Sequence, residues 1–156
     1  MHPLSLRRAA LLPICLFAAF VLLAPTANAA EDLGYGGEDD IENPLEGDAV
    51  AIEHGKERYG ARCGFCHGSR GIGAKGPCLS CNKFKAGGGR NLDIYSVIAA
   101  GLTINGRPTQ MGGFSRTLSD DDIWSIIAYL RQEYKDRLAR GEFEEGYNPV
   151  AEEAQR

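Results

Sequence analysis

The chain has 156 residues, 44% of them hydrophobic, and a formal net charge of −4. This length and composition predict one small domain rather than two. Beyond the charges themselves, nothing in the sequence indicates nucleic-acid recognition.

The first 29 residues match a secretory signal peptide. Arg7 and Arg8 form a basic start, residues 9–24 an apolar run, and residues 27–29 a small-residue cleavage site. The run is interrupted by proline and is shorter than the roughly 20 residues that a spanning helix needs. We therefore expect export to the periplasm and no stable membrane span after processing, with a permanent anchor as the alternative.

Residues 30–48 form an acidic segment. From Glu31 to Asp48 there are eight acidic residues, no basic residue and several glycines. Such a composition buries too little apolar surface to order itself, so we predict a flexible arm. A charged C-terminal tail is predicted over residues 139–156, which leaves residues 49–138 as the folded domain.

Apolar spacing predicts the first of three main helices near Asp48 to Cys63. Ile52, Gly55 and Tyr59 fall on one face of that helix, at the spacing of an amphipathic helix. Asn91 is the expected cap of the second helix, which places Tyr95, Ile98 and Ala99 inward and ends at Gly101.

The third helix has the clearest signals. Ser119 is its expected cap, with Asp122 three residues further on. One stripe is apolar and contains Ile123, Ile126, Ile127, Leu130, Tyr134 and Leu138. The connecting segments are rich in glycine and lack alternating β-branched residues, so we predict an all-α fold without a sheet.

Cys63-Gly64-Phe65-Cys66-His67 matches the attachment signature of a c-type haem. The two thiols are expected to form thioethers with one haem c, and His67 to bind its iron. The alternatives are a redox dithiol and a zinc site completed by Cys78 and Cys81. A redox dithiol would need a thioredoxin-like pattern of strand and helix, which the sequence lacks.

Met111 is the predicted second axial ligand of the iron. After processing it is the sole methionine, and it lies 44 residues beyond His67 in a glycine-rich loop before the last helix. The rival ligand, His54, lies only nine residues before Cys63, so we expect a surface or capping histidine there. A Met111 that merely packs in the core is the alternative.

With these motifs, residues 49–138 resemble a class I cytochrome c. Gly55 and Tyr59 before Cys63 match the family's glycine and aromatic residue, and Ile126 with Tyr129 matches its last helix. The resemblance implies an all-α fold of three main helices around one haem and a role in electron transfer. It also implies that the first and last helices cross closely at Gly55.

The resemblance extends to the segment after His67. Gly76-Pro77 is similar to the family's Gly-Pro, whose carbonyl accepts the N–H of the proximal histidine, and Leu79 would pack on the haem edge. The family commonly has proline after the ligand methionine. Here the residue is Gly112, which leaves the stiffness of that loop open.

Cys78-Leu79-Ser80-Cys81 departs from most of the family. Asn82 follows it instead of histidine, so a second haem site is excluded, and in an oxidising compartment a local disulfide is expected. A redox-active pair is the alternative. Four mature cysteines in this layout resemble c-type cytochromes associated with methanol metabolism, which implies a pyrroloquinoline quinone (PQQ)-dependent alcohol or methanol dehydrogenase as electron donor.

The charges are segregated along the chain. Residues 49–113 contain three acidic residues and nine basic ones: Lys56, Arg58, Arg62, Arg70, Lys75, Lys83, Lys85, Arg90 and Arg107. A basic rim near a haem edge would steer an acidic redox partner. The alternative is that the acidic arm and tail neutralise this face.

These observations predict a periplasmic one-electron carrier that passes electrons toward a terminal oxidase or a second cytochrome and is not an enzyme. The rival is a haem enzyme or a gas or redox sensor in which Met111 is absent from the iron or leaves it readily. A third hypothesis makes the chain a subunit of a larger complex, with the acidic arm as a docking segment.

Overall fold

The structure is a computed structural model that describes residues 40–82, 84 and 89–144. All of them belong to one compact unit within residues 32–156. The predicted signal peptide, residues 30–39 of the acidic arm and the tail beyond residue 144 lie outside the described residues. Within the described ranges, no helix is long and apolar enough to cross a membrane.

In the described part of the chain, the fold contains four α-helices and one β-hairpin. The helices are α1 (Ala49–Arg62), α2 (Gly64–His67), α3 (Asn91–Ala100) and α4 (Asp120–Ala139). Strands β1 (Gly101–Ile104) and β2 (Arg107–Gly112) lie between α3 and α4. Two 3₁₀ turns, Ser69–Gly71 and Leu79–Cys81, follow α2.

Helices α1 and α4 cross in close contact, as the sequence predicts. A Cβ added at Gly55 would overlap the backbone carbonyl of Ser125. The rings of Tyr59 and Tyr129 lie 5.4 Å apart between their centroids, further along the same crossing. Only glycine at position 55 permits this approach of the two backbones, so α1 is fixed against the centre of α4.

The predicted cap of α4 is confirmed, and α1 begins next to Asp48, where the predicted helix starts. Ser119 accepts a hydrogen bond from the N–H of Asp122, and the Asp122 carboxylate accepts from the N–H of Ser119, which is a capping box. Asp48 accepts from the N–H groups of Val50 and Ala51 at the start of α1. Local sequence therefore determines where these two helices begin.

The predicted cap of α3 is wrong. Asn91 is the first residue inside the helix, and the carboxylate of Asp40 accepts from the N–H groups of Asn91 and Leu92. The Asn91 side chain instead donates to the carbonyl of Ile41 and accepts from the buried guanidinium of Arg131. A partner 51 positions away in sequence supplies the cap, which a local pattern cannot predict.

Residues 40–48 of the acidic segment contact the helices. Asn43 is buried and donates to the carbonyl of Trp124 on α4 at 3.0 Å. Glu46 forms an ion pair with Lys135 on the same helix. Residues 40–48 of the flexible arm that the sequence predicts over residues 30–48 therefore lie against α3 and α4.

The prediction that the fold has no sheet is wrong. Strands β1 and β2 pair antiparallel, with Ile104 opposite Arg107, around a two-residue turn at Asn105 and Gly106. Both turn residues have positive φ, 51° and 75°, as a type I′ turn requires. Asn-Gly is the sequence signal of that turn, and it outweighs the missing alternation in these short strands.

Candidate haem site

A cavity of about 320 Å³ lies among α1, α3, α4 and the hairpin. Its walls are largely apolar and include Leu79, Ile94, Ile98, Leu102, Ile126 and Leu130. Cys63, Cys66, His67 and Met111 also line it. The structure thus brings the four residues of the predicted haem site to one cavity, although they come from α2, from β2 and from the junction between α1 and α2.

The attachment motif forms the end of α1 and the short helix α2. Cys63 is the C-cap of α1 and is buried, whereas Cys66 is exposed, and both are free thiols. Burial, and then the neighbouring Cys66, raise the pKa of the Cys63 thiol to about 11. Because Cys63 and Cys66 both line the cavity, the pair can be bonded to one group held there.

His67 is held by a backbone carbonyl. The ring is buried, and its Nδ1 lies 3.0 Å from the carbonyl oxygen of Pro77. A carbonyl oxygen can only accept, so Nδ1 carries the hydrogen and Nε2 keeps a lone pair for a metal. A Cβ at Gly76 would be 2.7 Å from the Cε1 atom of this ring, so Gly76 leaves the space that the imidazole occupies.

Tyr59 supports the segment behind His67. Its hydroxyl donates to the carbonyl of Gly68 at 3.1 Å, and its ring lines the cavity. Burial, with smaller effects of Cys63 and Tyr129, raises the pKa of Tyr59 well above its usual value. The sequence places Tyr59 in the helix crossing but gives no sign of this hydrogen bond, because its acceptor is a backbone group.

Met111 lies on β2 and is partly buried at the cavity. Its N–H donates to the hydroxyl of Thr109 at 3.1 Å. Two residues later, the backbone of Gly113 lies against the last turn of α3, where a Cβ would be 2.7 Å from the carbonyl oxygen of Ala99. Strand pairing and the contact of Gly113 with α3 therefore hold the segment that carries Met111. They do so without the proline that the family commonly has at position 112.

Cys78 and Cys81 form the disulfide that the sequence predicts. Leu79, between them, lines the cavity. A disulfide leaves no thiolate for a metal, and the described residues contain no group of three or more candidate metal ligands. The alternative of a zinc site therefore lacks the two thiolates that Cys78 and Cys81 would have to supply.

His54 lies away from the cavity. Its Nε2 is 2.7 Å from the carboxylate of Asp122 on α4, which also contacts Arg58 at 2.9 Å. Burial opposes ionisation of Asp122, but hydrogen bonds from Ser119 and His54 outweigh it and lower the pKa of the carboxyl to about 2. His54 thus connects α1 to the start of α4.

Several of the predicted basic residues are paired. Lys56, Arg58, Arg70 and Arg90 each form an ion pair with a nearby carboxylate. Lys83 and Lys85 lie outside the described residues. Lys75 lines the cavity and lies over the ring of Phe65, 4.2 Å from the centroid, and that ring is 78% exposed.

Sequence reasoning missed part of the cavity wall. Phe84, Val97 and Thr109 line the cavity without any motif that marks them. Ile94 also lines the cavity, but the predicted inward face of the second helix does not include it. Its spacing of four from Ile98 is the signal that places both residues on one face of α3.

Comparison with known proteins identifies the family. A family model described as "Cytochrome C oxidase, cbb3-type, subunit III" matches residues 50–130, just over half of the chain. The chain belongs to this family of cytochromes c. Membership implies a covalently bound haem c with its iron, and cytochromes c of this kind are electron-transfer proteins.

One solved structure that resembles the cytochrome is cytochrome cL from the marine methylotrophic bacterium Methylophaga aminisulfidivorans. The sequences are 23% identical, the match covers 70% of this chain and 79% of that one, and the TM-score is 0.48. No curated protein matches the chain.

The residues at the cavity fit a haem c. The cavity is apolar, as a porphyrin requires, and two thiols at the attachment spacing lie at it. The hydrogen bond from His67 to Pro77 fixes the tautomer that leaves Nε2 available to iron.

Proposed function

We propose that this cytochrome is a periplasmic one-electron carrier with a single haem and two axial ligands, His67 and Met111. The observation that carries the proposal is that one apolar cavity is lined by both of these side chains and by both cysteines of the attachment motif. A methionine ligand closes the iron to small molecules and raises its potential, which suits a carrier.

In this proposal each residue has a separate task. Cys63 and Cys66 tether the haem through thioethers, and His67 binds the iron through Nε2. Pro77 orients the imidazole through its carbonyl, and Leu79 packs against the haem. When bound, haem c supplies an iron that alternates between the ferric and ferrous states.

The apolar wall has its own role in electron transfer. Ile94, Ile98 and Ile126 line the cavity and are at most 7% exposed. Side chains that exclude water from this wall reduce the solvent reorganisation that accompanies a change of charge. The exposed Cys66 marks the side of the cavity that a partner can approach.

The proposed donor is a PQQ-dependent methanol or alcohol dehydrogenase, and the acceptor is a terminal oxidase or a second cytochrome. The support is the layout of four mature cysteines, which resembles that group of cytochromes. Lys75 at the cavity would attract an acidic partner. Mixing the ferric cytochrome with a reduced PQQ-dependent methanol dehydrogenase tests the donor, and failure of the haem to be reduced would count against it.

A second candidate is a subunit of a larger oxidase complex, which the family's description favours. Deleting residues 31–39 tests it, because this deletion leaves Asp40 and Asn43 in their contacts with α3 and α4. Loss of co-purification with an oxidase would support the complex. Unchanged electron transfer and no associated oxidase would support the free carrier.

The decisive experiment is the far-red absorption of the ferric protein, where methionine bound to iron gives a weak band. We expect the band in the native protein and its loss in Met111→Ala. Carbon monoxide should bind slowly or not at all to the reduced native protein and rapidly to the variant. A native protein without the band, or one that binds carbon monoxide at once, would favour a haem enzyme or gas sensor.

A further inference from the structure

A buried cation lies against the disulfide. Arg137 on α4 is 8% exposed, and its Nη1 is 3.5 Å from Sγ of Cys78 and 3.8 Å from Sγ of Cys81. The same nitrogen donates to the hydroxyl of Ser80, a residue with no exposed surface, at 2.6 Å. A guanidinium gains little from neutral sulfur but would strongly stabilise a thiolate at these positions.

The charge of Arg137 is only partly neutralised. Its Nε pairs with Glu142 at 2.8 Å, but Glu142 is shared with Arg70 and Arg140. Hydrogen bonds from Arg137 and Arg140 hold the pKa of Glu142 at about 2, so this carboxylate stays ionised. Glu133 also contacts Arg70 and Arg140. Among the residues that the structure describes, three guanidinium groups thus face two carboxylates in this cluster, which leaves an excess of one positive charge.

The disulfide contributes little as a structural cross-link. Cys78 and Cys81 are three positions apart, and closing so short a loop removes little entropy from the unfolded chain. The segment is already held by Arg137 and by the burial of Ser80. Stability alone therefore gives a weak reason for two cysteines and a buried cation at this place.

We propose that Cys78 and Cys81 are a second redox site, a two-electron disulfide–dithiol couple that exchanges with a dithiol protein and whose reduced form Arg137 stabilises. Cys78 is the more exposed of the two, 8% against 3%. A thiolate of the partner attacks Sγ of Cys78, the S–S bond breaks, and Cys81 leaves as a thiolate beside Arg137.

The exchange balances with the partner as reductant. Its second thiol attacks the mixed disulfide, releases Cys78, and the partner departs with its own disulfide. Two electrons and one proton pass from the partner, which begins as a thiolate and a thiol, so that Cys78 ends as a thiol and Cys81 as a thiolate. The haem supplies no electrons to this exchange, so the exchange can be measured separately from the carrier function.

The site is connected to the haem ligand through the backbone. Cys78 follows Pro77 directly, and the Pro77 carbonyl holds Nδ1 of His67 at 3.0 Å. Opening the disulfide removes a constraint on the turn that carries this carbonyl. Reduction of the couple should therefore shift the haem midpoint potential as well.

The test is a thiol titration of the folded holoprotein. The protein is equilibrated at a series of ratios of reduced to oxidised dithiothreitol, alkylated, and its mass measured. In the proposed mature holoprotein Cys15 is removed with the signal peptide and Cys63 and Cys66 are thioethers, so Cys78 and Cys81 are the two cysteines that can take the label. We expect two labels to be added in one two-electron step while the visible spectrum stays that of the folded protein.

Arg137→Gln and Arg140→Gln form a matched pair, since both arginines pair with Glu142 but only Arg137 contacts sulfur. Half-reduction of Arg137→Gln should require a ratio of reduced to oxidised dithiothreitol about tenfold higher than half-reduction of the native protein. For a two-electron couple this equals a shift of about 30 mV in the midpoint potential. Arg140→Gln should titrate like the native protein. Equal shifts in both variants would overturn the role of Arg137.

Two further outcomes bear on the proposal. If the native holoprotein takes no label until it is unfolded, the disulfide is purely structural and the proposal is wrong. If Arg137→Gln does not fold, Arg137→Lys keeps the charge and should titrate within about threefold of the native protein. A tenfold change in Arg137→Lys would contradict stabilisation by charge.

Discussion

Gly113 lies directly against the end of α3, so that a Cβ added there would be 2.7 Å from the carbonyl oxygen of Ala99. The next two residues, Phe114 and Ser115, donate their N–H groups to the carbonyls of Ile98 and Ala99. The chain that carries Met111 is thus fixed to α3 two residues after the proposed ligand. Both sides of this contact are backbone atoms, so no flexible side chain can move aside to make room for a Cβ at position 113.

We therefore expect Gly113→Ala to displace Met111. The far-red band should weaken by more than half, and carbon monoxide should bind rapidly to the reduced protein, because the iron is left with one protein ligand for part of the time. Gly112→Ala is the matched control, since nothing lies within 4 Å of a Cβ there. If both variants keep the band, the glycine contact has no part in holding Met111.

The sequence predicts those parts of the fold that depend on local signals. The caps at Ser119 and Asp48 lie next to the helices that they begin. The cap of α3 comes from Asp40, far away in sequence, and no local pattern contains it. The hairpin had a local signal in Asn105-Gly106, but short strands with little alternation concealed it.

In the candidate site, too, the sequence predicts the residues that follow a local pattern and does not predict the contacts between distant residues. Spacing is enough to select Cys63, Cys66 and His67, because the motif is one continuous stretch that runs from the C-cap of α1 to the end of α2. The sequence could not foresee that Arg137 contacts both disulfide sulfurs, because the contact joins residues 56 and 59 positions apart. Such contacts arise only from packing of α4 against the turns after α2.

A second prediction concerns the crossing of α1 and α4. Gly55→Ala should lower the free energy of unfolding by about 3 kcal/mol, because the added methyl group overlaps the backbone of Ser125 and neither helix can yield locally. Gly60→Ala, on the same helix with open space around it, should raise stability by up to about 1 kcal/mol. Denaturant unfolding of the holoprotein measures both. Equal stability of the two variants would contradict a close crossing.

A third prediction concerns acid stability. The folded pKa of Asp122, about 2, is lower than its usual value of 3.8. Its contribution to stability is therefore fully present above about pH 5 and is lost as the pH falls toward 2. Asp122→Asn should cost about 2 kcal/mol at pH 7, and the difference from the native protein should shrink through that range.

The control for this acid dependence is Asp121→Asn. Asp121 is an exposed residue in the same first turn of α4. Its substitution should change stability by no more than about 0.5 kcal/mol. A constant difference between Asp122→Asn and the native protein from pH 7 to pH 2 would show that the carboxylate does not stabilise the fold through its charge.

A fourth prediction concerns recognition of the redox partner. Among the described residues, Lys75 forms no ion pair, lines the cavity and lies over the exposed ring of Phe65. Its charge is thus available to an acidic partner at the place where electrons would enter or leave. Lys75→Gln should lower the second-order rate constant of electron transfer about threefold at 0.01 M salt, where charges act over about 30 Å.

Lys56→Gln is the matched control, because Lys56 is exposed, pairs with Glu53 on α1 and does not line the cavity. Stopped-flow reduction of both variants at several salt concentrations separates a local contact from a general effect of net charge. The effect of Lys75→Gln should disappear as salt rises to 1 M, where screening acts over about 3 Å. An equal loss in both variants would mean that the partner responds to total charge, and the approach to the haem would then not be directed by Lys75.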